Sequence, residues 1–445
     1  MSREFILRGN VFQVCARYIA PSIIGMAGLS VYVLADTWFI ANGIGSDGLS
    51  ALNIVLPIFG LMGGIGLLCG VGGSTVFSIA RGRSDERCNR PFMTALLLSG
   101  SAAAVFTVAG LFFPYRIAEW FGATREIISY AESYLRTVLL MSSCFLLNAV
   151  LLCFVRNDGA PRLAMTAMVT STLANVFLDY LMIYPLEWGM FGAALATGLS
   201  SLIGILVLSL HFVRGRSNFG WEWIMPGWSD IKRLIPPGLP GVVTEVSSGV
   251  VIFLFNMMLQ LYAGNTGVAA YGIIANISLV AGAVFTGIGQ GIQPVVSTSF
   301  GAGEYARIRR VCIVAGITAF AAGALCCVGG IIFAGAIAAA FNNRGVEALT
   351  RLTVNGIYWY FPAFLFMGGN FAGSAVLAAM EHSREAFFIS LLRGAVLLIP
   401  VLLILGFWFG LNGVWLSVPV TELLTMPLTI FLMRSAWKRF RGPGQ

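Results

Sequence analysis

The chain has 445 residues, of which 58% are hydrophobic and only 10% charged, against ~25% charged in an average soluble domain. This composition excludes a soluble globular protein. The net charge of +8 is not a nucleic-acid footprint, because no basic stripe interleaved with stacking aromatics stands on a soluble module. The eight cysteines are scattered without a CxxC and read as small apolar residues rather than as a disulfide framework or metal site.

Apolar runs of about 20 residues or more recur along the whole chain, each long enough to cross a hydrocarbon core about 30 Å thick. No water satisfies free backbone groups at that depth, so each run is predicted to be a helix. In chain order the predicted spans lie near 13–42, 50–80, 92–113, 127–155, 162–184, 190–213, 235–263, 267–300, 310–340, 351–380, 386–409 and 412–433. The first is followed by no small-residue cleavage pattern and reads as a retained helix, not a signal peptide.

Twelve spans put both termini on one side, and the positive-inside rule chooses the cytoplasm. With that orientation the cytoplasmic ends and loops, such as "RGRSDERCNR", "VRNDGAPR", "RIRR" and the tail "RSAWKRFRGPGQ", hold 22 of the 27 Lys and Arg. Only Arg116, Arg125, Arg136, Arg344 and Arg351 fall outside.

The chain is also predicted to be an internal duplication. Sliding the sequence by 219 residues without a gap superposes Pro21 on Pro240, Ala51 on Ala270, Gly70 on Gly289, Gly72 on Gly291, Ser78 on Ser297, Gly82 on Gly301, Asp85 on Glu304 and Arg90 on Arg309. Near the ends of the halves the offset becomes 221, where "GMFGAA" (189–194) meets "GLNGVW" (410–415). A six-span repeat enters the membrane from the same side each time. The expected fold is therefore an all-α integral membrane protein of twelve transmembrane helices, in two parallel six-helix bundles related by a pseudo-twofold along the membrane normal. The expected division is a first lobe over 1–213, a cytoplasmic linker over 214–234, and a second lobe over 235–445 with a short basic tail. Such a duplication is the plan of an alternating-access carrier, in which two bundles rock about a site between them.

The stretches "PSIIGMAGLSVYVLADTWFIANGIGSDGLSALNI" (21–54), "GVGGSTVFSIARGRSD" (70–85) and "GIGQGIQPVVSTSFGAGEYARIRR" (287–310) resemble the multidrug and toxic compound extrusion (MATE) family. The resemblance covers essentially the whole chain. It implies a two-lobed antiporter of the bacterial inner (plasma) membrane, driven by H⁺ or Na⁺ and exporting amphipathic, often cationic compounds.

A carboxylate at the bilayer centre costs at least about 2.5–3.5 kcal/mol and is rare unless paired or used. Four stand out: Asp36, Asp179, Glu245 and Glu422. Asp36 lies about six residues before the outer break at Gly43, roughly 9 Å deep. Asp179 precedes Pro185 by six residues and Thr197 follows Gly192 by five, so spans one, five and six place polar groups at one depth. Asn175, four residues before Asp179, shares its helix face. Two carboxylates, an amide oxygen and a hydroxyl at one level form either an oxygen cage for Na⁺ or a carboxyl pair able to hold H⁺. The alternative is a buried structural Asp bonded to Asn and Thr. In the DinF-like branch of the family, which this chain resembles here, the cation site is an Asp in the first helix, Asn-x-x-x-Asp in the fifth and Thr in the sixth. Asp36, Asn175 with Asp179, and Thr197 match it. Pro21 and Gly25 resemble the family's first-helix bend, which suits a residue that removes a backbone hydrogen bond beside one that relaxes the turn.

Other branches of the family carry acids in the second lobe. Glu245 matches one of them, while the tenth span has Asn370 and no carboxylate. Glu245 stands between substrate-facing acid and helix-packing group, and Gln290 and Gln293 between cavity lining and interhelical bonding. With Asn370 they are the candidate substrate-cavity residues. Glu422 matches no family role and is expected to bond Thr421, Thr425 or a neighbouring helix. The Gly-rich run 60–73 lacks a Lys and reads as close helix packing rather than a phosphate loop. His211 and His382 lie at cytoplasmic edges, too far out to relay protons through the bilayer.

No HExxH, GxSxG or Walker loop occurs, so neither an enzyme nor an ATP-driven pump is expected, and no cofactor beyond the coupling ion. A lipid-linked sugar flippase of the same wider superfamily is the alternative. It should line its cavity with Lys or Arg for pyrophosphate, and none is expected at mid-depth. A channel or receptor would leave the matched acids unexplained. Expected partners are small amphipathic substrates and membrane lipids, with no nucleic acid, and the carrier is expected to be a monomer. A reporter inserted near Gly215 should read cytoplasmic and one near Asn343 external; the reverse pattern would contradict the topology.

Overall fold

The computed structural model describes residues 3–85, 89–220, 225–342 and 345–440, which are helical apart from short turns. Arg87, Cys88, Asn343, Arg344 and the end of the basic tail lie outside the described residues.

Nine helices there are long and apolar enough to cross a membrane, and a bent pair makes a tenth span. Two of the nine are double, because the backbone leaves helical geometry at Gly264 (φ 59°) and at Gly410 (φ 58°). Twelve spans result. In the first lobe α1 is Val11–Gly43, α2 Ser46–Gly82, α3 Asn89–Phe112, α5 Pro161–Ile183 and α6 Gly189–Val213. Between them α4 joins Ile128–Leu140 to Ser142–Asn157 through a 50° bend at Met141. In the second lobe α7 (228–263) and α8 (265–301) meet at Gly264, and α9 is Tyr305–Ile332. Next comes α10, joining Glu347–Tyr360 to Phe364–Ala379 through a 3₁₀ turn. The eleventh span, α11, begins at Ser383, contains a π-turn over Leu392–Val396 and ends at Gly410, where α12 starts.

The duplication is written into the backbone. Gly45 and Gly264, 219 residues apart, both turn with positive φ between the first two spans of their lobes. Gly189 and Gly410, 221 apart, do the same before the sixth and twelfth. An L-residue with a side chain is strained in that conformation, and glycine is not. Short helices at Pro114–Trp120 and Ala334–Phe341 follow α3 and α9 in the same register.

The lobes pack by cross-pairing, α1 on α8 and α2 on α7, through positions that have no side chain. A Cβ on Gly82 would strike the backbone of Thr298 and Gly301, and a Cβ on Gly301 that of Ile79 and Gly82. Each glycine thus meets its own repeat partner across the pseudo-twofold. Gly238 meets the backbone of Leu68 and Gly291 that of Tyr18 and Ile19 in the same way. Gln293, the repeat partner of Ser74, donates across the axis to Thr75 Oγ1 at 2.5 Å and reaches Ser74 Oγ at 3.5 Å. Arg156 Nη1 donates to Gln290 Oε1 at 2.6 Å. These contacts lie in the half of the bundle that carries the termini, so the lobes are closed there.

The first part of the linker is bound to the first lobe. The buried Asp158 carboxylate accepts from the backbone and side-chain amides of Asn218, both at 2.7 Å, while Arg81 and His211 approach it at 3.1 and 2.8 Å. Phe219 sits among Phe77, Phe92, Phe154 and Phe212. Helix α7 starts at Trp228, so the end of the expected linker is helical.

Arg393 departs from the expectation that no Lys or Arg lies at mid-depth. It stands ten residues into α11, roughly 15 Å along the span, where an ion pair neutralises it.

The closed interface rests on backbone-to-backbone approach. Gly301→Ala should therefore cost about 1–3 kcal/mol through overpacking, whereas Gly316→Ala in α9, with open space around its Cβ position, should cost nothing. Thermal midpoints in detergent compare the two. Equal effects would contradict this interface.

Candidate functional site

Helices α1, α5 and α6 pack against one another in the first lobe and bring Asp36, Asn175, Asp179 and Thr197 into one buried cluster. Asp179 is 0% exposed, Asn175 1%, Thr197 3% and Asp36 7%. Small residues allow the approach: Gly25 sets the backbone of α1 against Met168, and Gly28 faces Thr172 and Val169 of α5. Helix α1 continues through Pro21.

The polar bonding of the cluster is one-sided. Asn175 Nδ2 donates to Thr197 Oγ1 at 3.4 Å, and Thr197 Oγ1 donates to Ala193 O of its own helix at 3.0 Å. Asp36 Oδ1, Asn175 Oδ1 and both carboxylate oxygens of Asp179 are buried with no donor to accept from. A structural Asp held by Asn and Thr would show those bonds filled, since buried polar groups are nearly always satisfied. Four acceptor oxygens from three helices suit a hard monovalent cation, or a proton shared by two carboxylates that cannot both stay charged cheaply in an apolar bundle.

Two residues join the cluster that the sequence reading missed. Tyr32 and Tyr134 lie within electrostatic reach of both aspartates, and the Tyr134 phenol is in hydrogen-bonding range of Thr197. Tyr32 was legible as the residue one helical turn before Asp36. Tyr134 arrives from α4, and no local pattern announces it.

The candidate cavity residues separate. Glu245 is half-buried where α7 crosses the glycines of α2, its carboxylate facing Gly63. It marks the apex of the closed region. Gln290 and Gln293 are engaged between the lobes. Asn370 is 0% exposed and serves the second lobe internally: its Nδ2 donates to Glu422 Oε2 at 2.7 Å and to Glu422 O at 3.0 Å, and its Oδ1 accepts from Thr429 at 2.9 Å. Asn370 is thus a packing group rather than a free cavity wall. Glu422 bonds a neighbouring helix, as expected, but its partners are Asn370 and Arg393, while Thr421 and Thr425 bond their own backbone.

The MatE family profile matches the chain twice, over residues 21–181 and 240–404. The multidrug export protein MepA of Staphylococcus saprophyticus is 26% identical over 96% of this chain and 95% of its own length. MepA of Staphylococcus haemolyticus is 27% identical over 97% and 95%. Among solved structures, a multidrug resistance MATE family transporter in an outward-facing conformation superposes with a TM-score of 0.93 at 21% identity, covering 99% of each chain. A MOP-superfamily transporter from Pyrococcus furiosus superposes with a TM-score of 0.92, also at 21% and 99% of each chain. With the family profile spanning most of both halves and the fold shared from end to end, the chain belongs to the MatE family of multidrug efflux transporters.

Proposed function

We propose that this transporter is an antiporter that exports amphipathic, often cationic compounds in exchange for H⁺ or Na⁺ bound by Asp36, Asn175, Asp179 and Thr197. The observation that carries the reading is the set of four buried acceptor oxygens with no donor. Leaving such groups unpaired costs about 1–3 kcal/mol each or more when charged. A bound cation or proton removes that cost, so occupancy and conformation are linked.

Antiport requires the site to bind its cation more tightly in one access state than in the other, because equal affinity shifts nothing. Helix α1 supplies both the hinge and a ligand. Pro21 removes a backbone bond and Gly25 bears no side chain, so the part of α1 beyond them, which carries Asp36, can bend toward α5. Cation binding favours the bent form, shrinks the first-lobe cavity and releases the exported compound outward. Glu245, at the apex between the lobes, supplies an anionic group for cationic substrates. With the orientation expected from the charge distribution, the closed side is cytoplasmic and the lobes part on the outer side. The flippase alternative needs a free cationic group for pyrophosphate, and the mid-depth Arg393 is already taken by Glu422.

In proteoliposomes with a pH or Na⁺ gradient imposed alone, Asp36→Asn and Asp179→Asn should each reduce gradient-driven dye efflux to the rate of protein-free vesicles, with normal insertion. Asn175→Ala and Thr197→Ala should weaken the apparent cation affinity several-fold, and more for Na⁺ than for H⁺, since neither titrates but both coordinate. Wild-type efflux with unchanged pH and Na⁺ dependence in the double Asp variant would overturn the assignment.

A further inference from the structure

The second lobe holds an intramembrane charge pair that the coupling scheme above does not use. Arg393 donates to Glu422 Oε1 through Nη2 at 2.6 Å and through Nε at 3.1 Å. Asn370 occupies Oε2 at 2.7 Å, and the guanidinium carbon stands 3.9 Å from the centroid of the Phe371 ring. The two side chains are 10% and 4% exposed. Tyr360 of α10 is the other titratable group within electrostatic reach of the pair. Arg393 sits in the π-turn Leu392–Val396, an insertion that turns one residue of α11 out of the regular helical sequence of faces.

The repeat register shows where this pair lies. Subtracting 221 places Arg393 on Thr172 and Glu422 on Ser201. Thr172 is three residues inward of Asn175 on α5, and Ser201 is four residues inward of Thr197 on α6. The pair is therefore built on the same helix pair as the first-lobe site, one turn closer to the side of the termini. The two lobes treat their buried acid oppositely. In the first, the carboxylate oxygens of Asp179 have no donor; in the second, both oxygens of Glu422 are filled by a guanidinium and an amide. A guanidinium stays protonated in proteins, so it cannot leave or be exchanged.

We propose that Arg393 is a tethered cation, permanently occupying a second-lobe cation site formed by Glu422, Asn370 and the Phe371 ring, and that this occupancy confines ion exchange to the first lobe. This rests on the first-lobe reading for its consequence, not for the site itself. Removing the guanidinium should unmask a pocket that takes an exchangeable monovalent cation, with free guanidinium fitting best because its shape, its donors and its affinity for the aromatic face are those of the group removed.

The test uses purified full-length protein in detergent with Asp179→Asn throughout, so that the first lobe contributes no cation response. Thermal midpoints are followed against millimolar guanidinium chloride, NaCl and, as an ionic-strength control, choline chloride. Asp179→Asn alone should show no specific response. Adding Arg393→Ala should lower the midpoint and introduce a saturable recovery with guanidinium, weaker with Na⁺ and absent with choline. Adding Glu422→Gln as well should abolish that cation response and recover stability without any cation. A flat response in the Arg393→Ala protein would overturn the proposal. So would the same response after Glu422→Gln, or a protein recoverable in none of these salts while Arg393→Ala/Glu422→Gln folds. Comparing the parent chain with Asp179→Asn in the same assay tests the first-lobe reading separately, since only that comparison changes Asp179.

Discussion

Everything functional in this molecule depends on four oxygen atoms buried without donors in the first lobe. An apolar bundle punishes unpaired acceptors, and the chain elsewhere obeys the rule closely: Ser78 bonds Asn157, Ser142 bonds a backbone carbonyl of α3, and Glu422 is filled on both oxygens. At Asp36, Asn175 and Asp179 the rule is suspended. The missing partner has to come from outside the chain, and that is the physical content of ion coupling: a ligand whose binding free energy differs between two arrangements of the same helices.

The second constraint is the seal between the lobes. Glycines at 82 and 301 let two repeat-related helix ends meet backbone to backbone, and further glycines along α2, α7 and α8 extend the contact inward to Glu245. Packing of this kind is effectively all-or-none, because a short shift loses the whole close approach. A two-lobed carrier needs such an interface, stable when closed and cheap to leave as a unit. The hydrogen bonds across it are few and are carried by Gln290, Gln293 and Arg156, groups that water can satisfy once the lobes part.

Much of the fold was legible because its determinants are local or periodic. Span length, charge asymmetry and the 219-residue register can be read without contacts, and the paired positive-φ glycines fall where that register puts them. The depth of Asp36, Asp179 and Thr197 was countable from helix ends, which is why the cluster could be assembled before its contacts were known. Tyr134 was invisible because its place depends on how α4 bends at Met141. Arg393 was counted with the cytoplasmic ends because its neutralising partner lies 29 residues away on another helix, and a sequence does not show that a charge is cancelled. Asn370 was expected at a cavity for the same reason: an amide in an apolar span looks available until its partners are seen.

Infrared difference spectroscopy on the purified protein tests the central claim most directly, because it reports carboxyl protonation and cation ligation without requiring transport. Switching between low and high Na⁺, and between acid and neutral pH, should change the carboxyl stretching bands of the wild type. That change should vanish in the Asp36→Asn/Asp179→Asn variant while persisting when Glu245 is replaced by Gln. A wild-type protein with no carboxyl change in either switch, or a change that survives loss of both aspartates, would contradict the account.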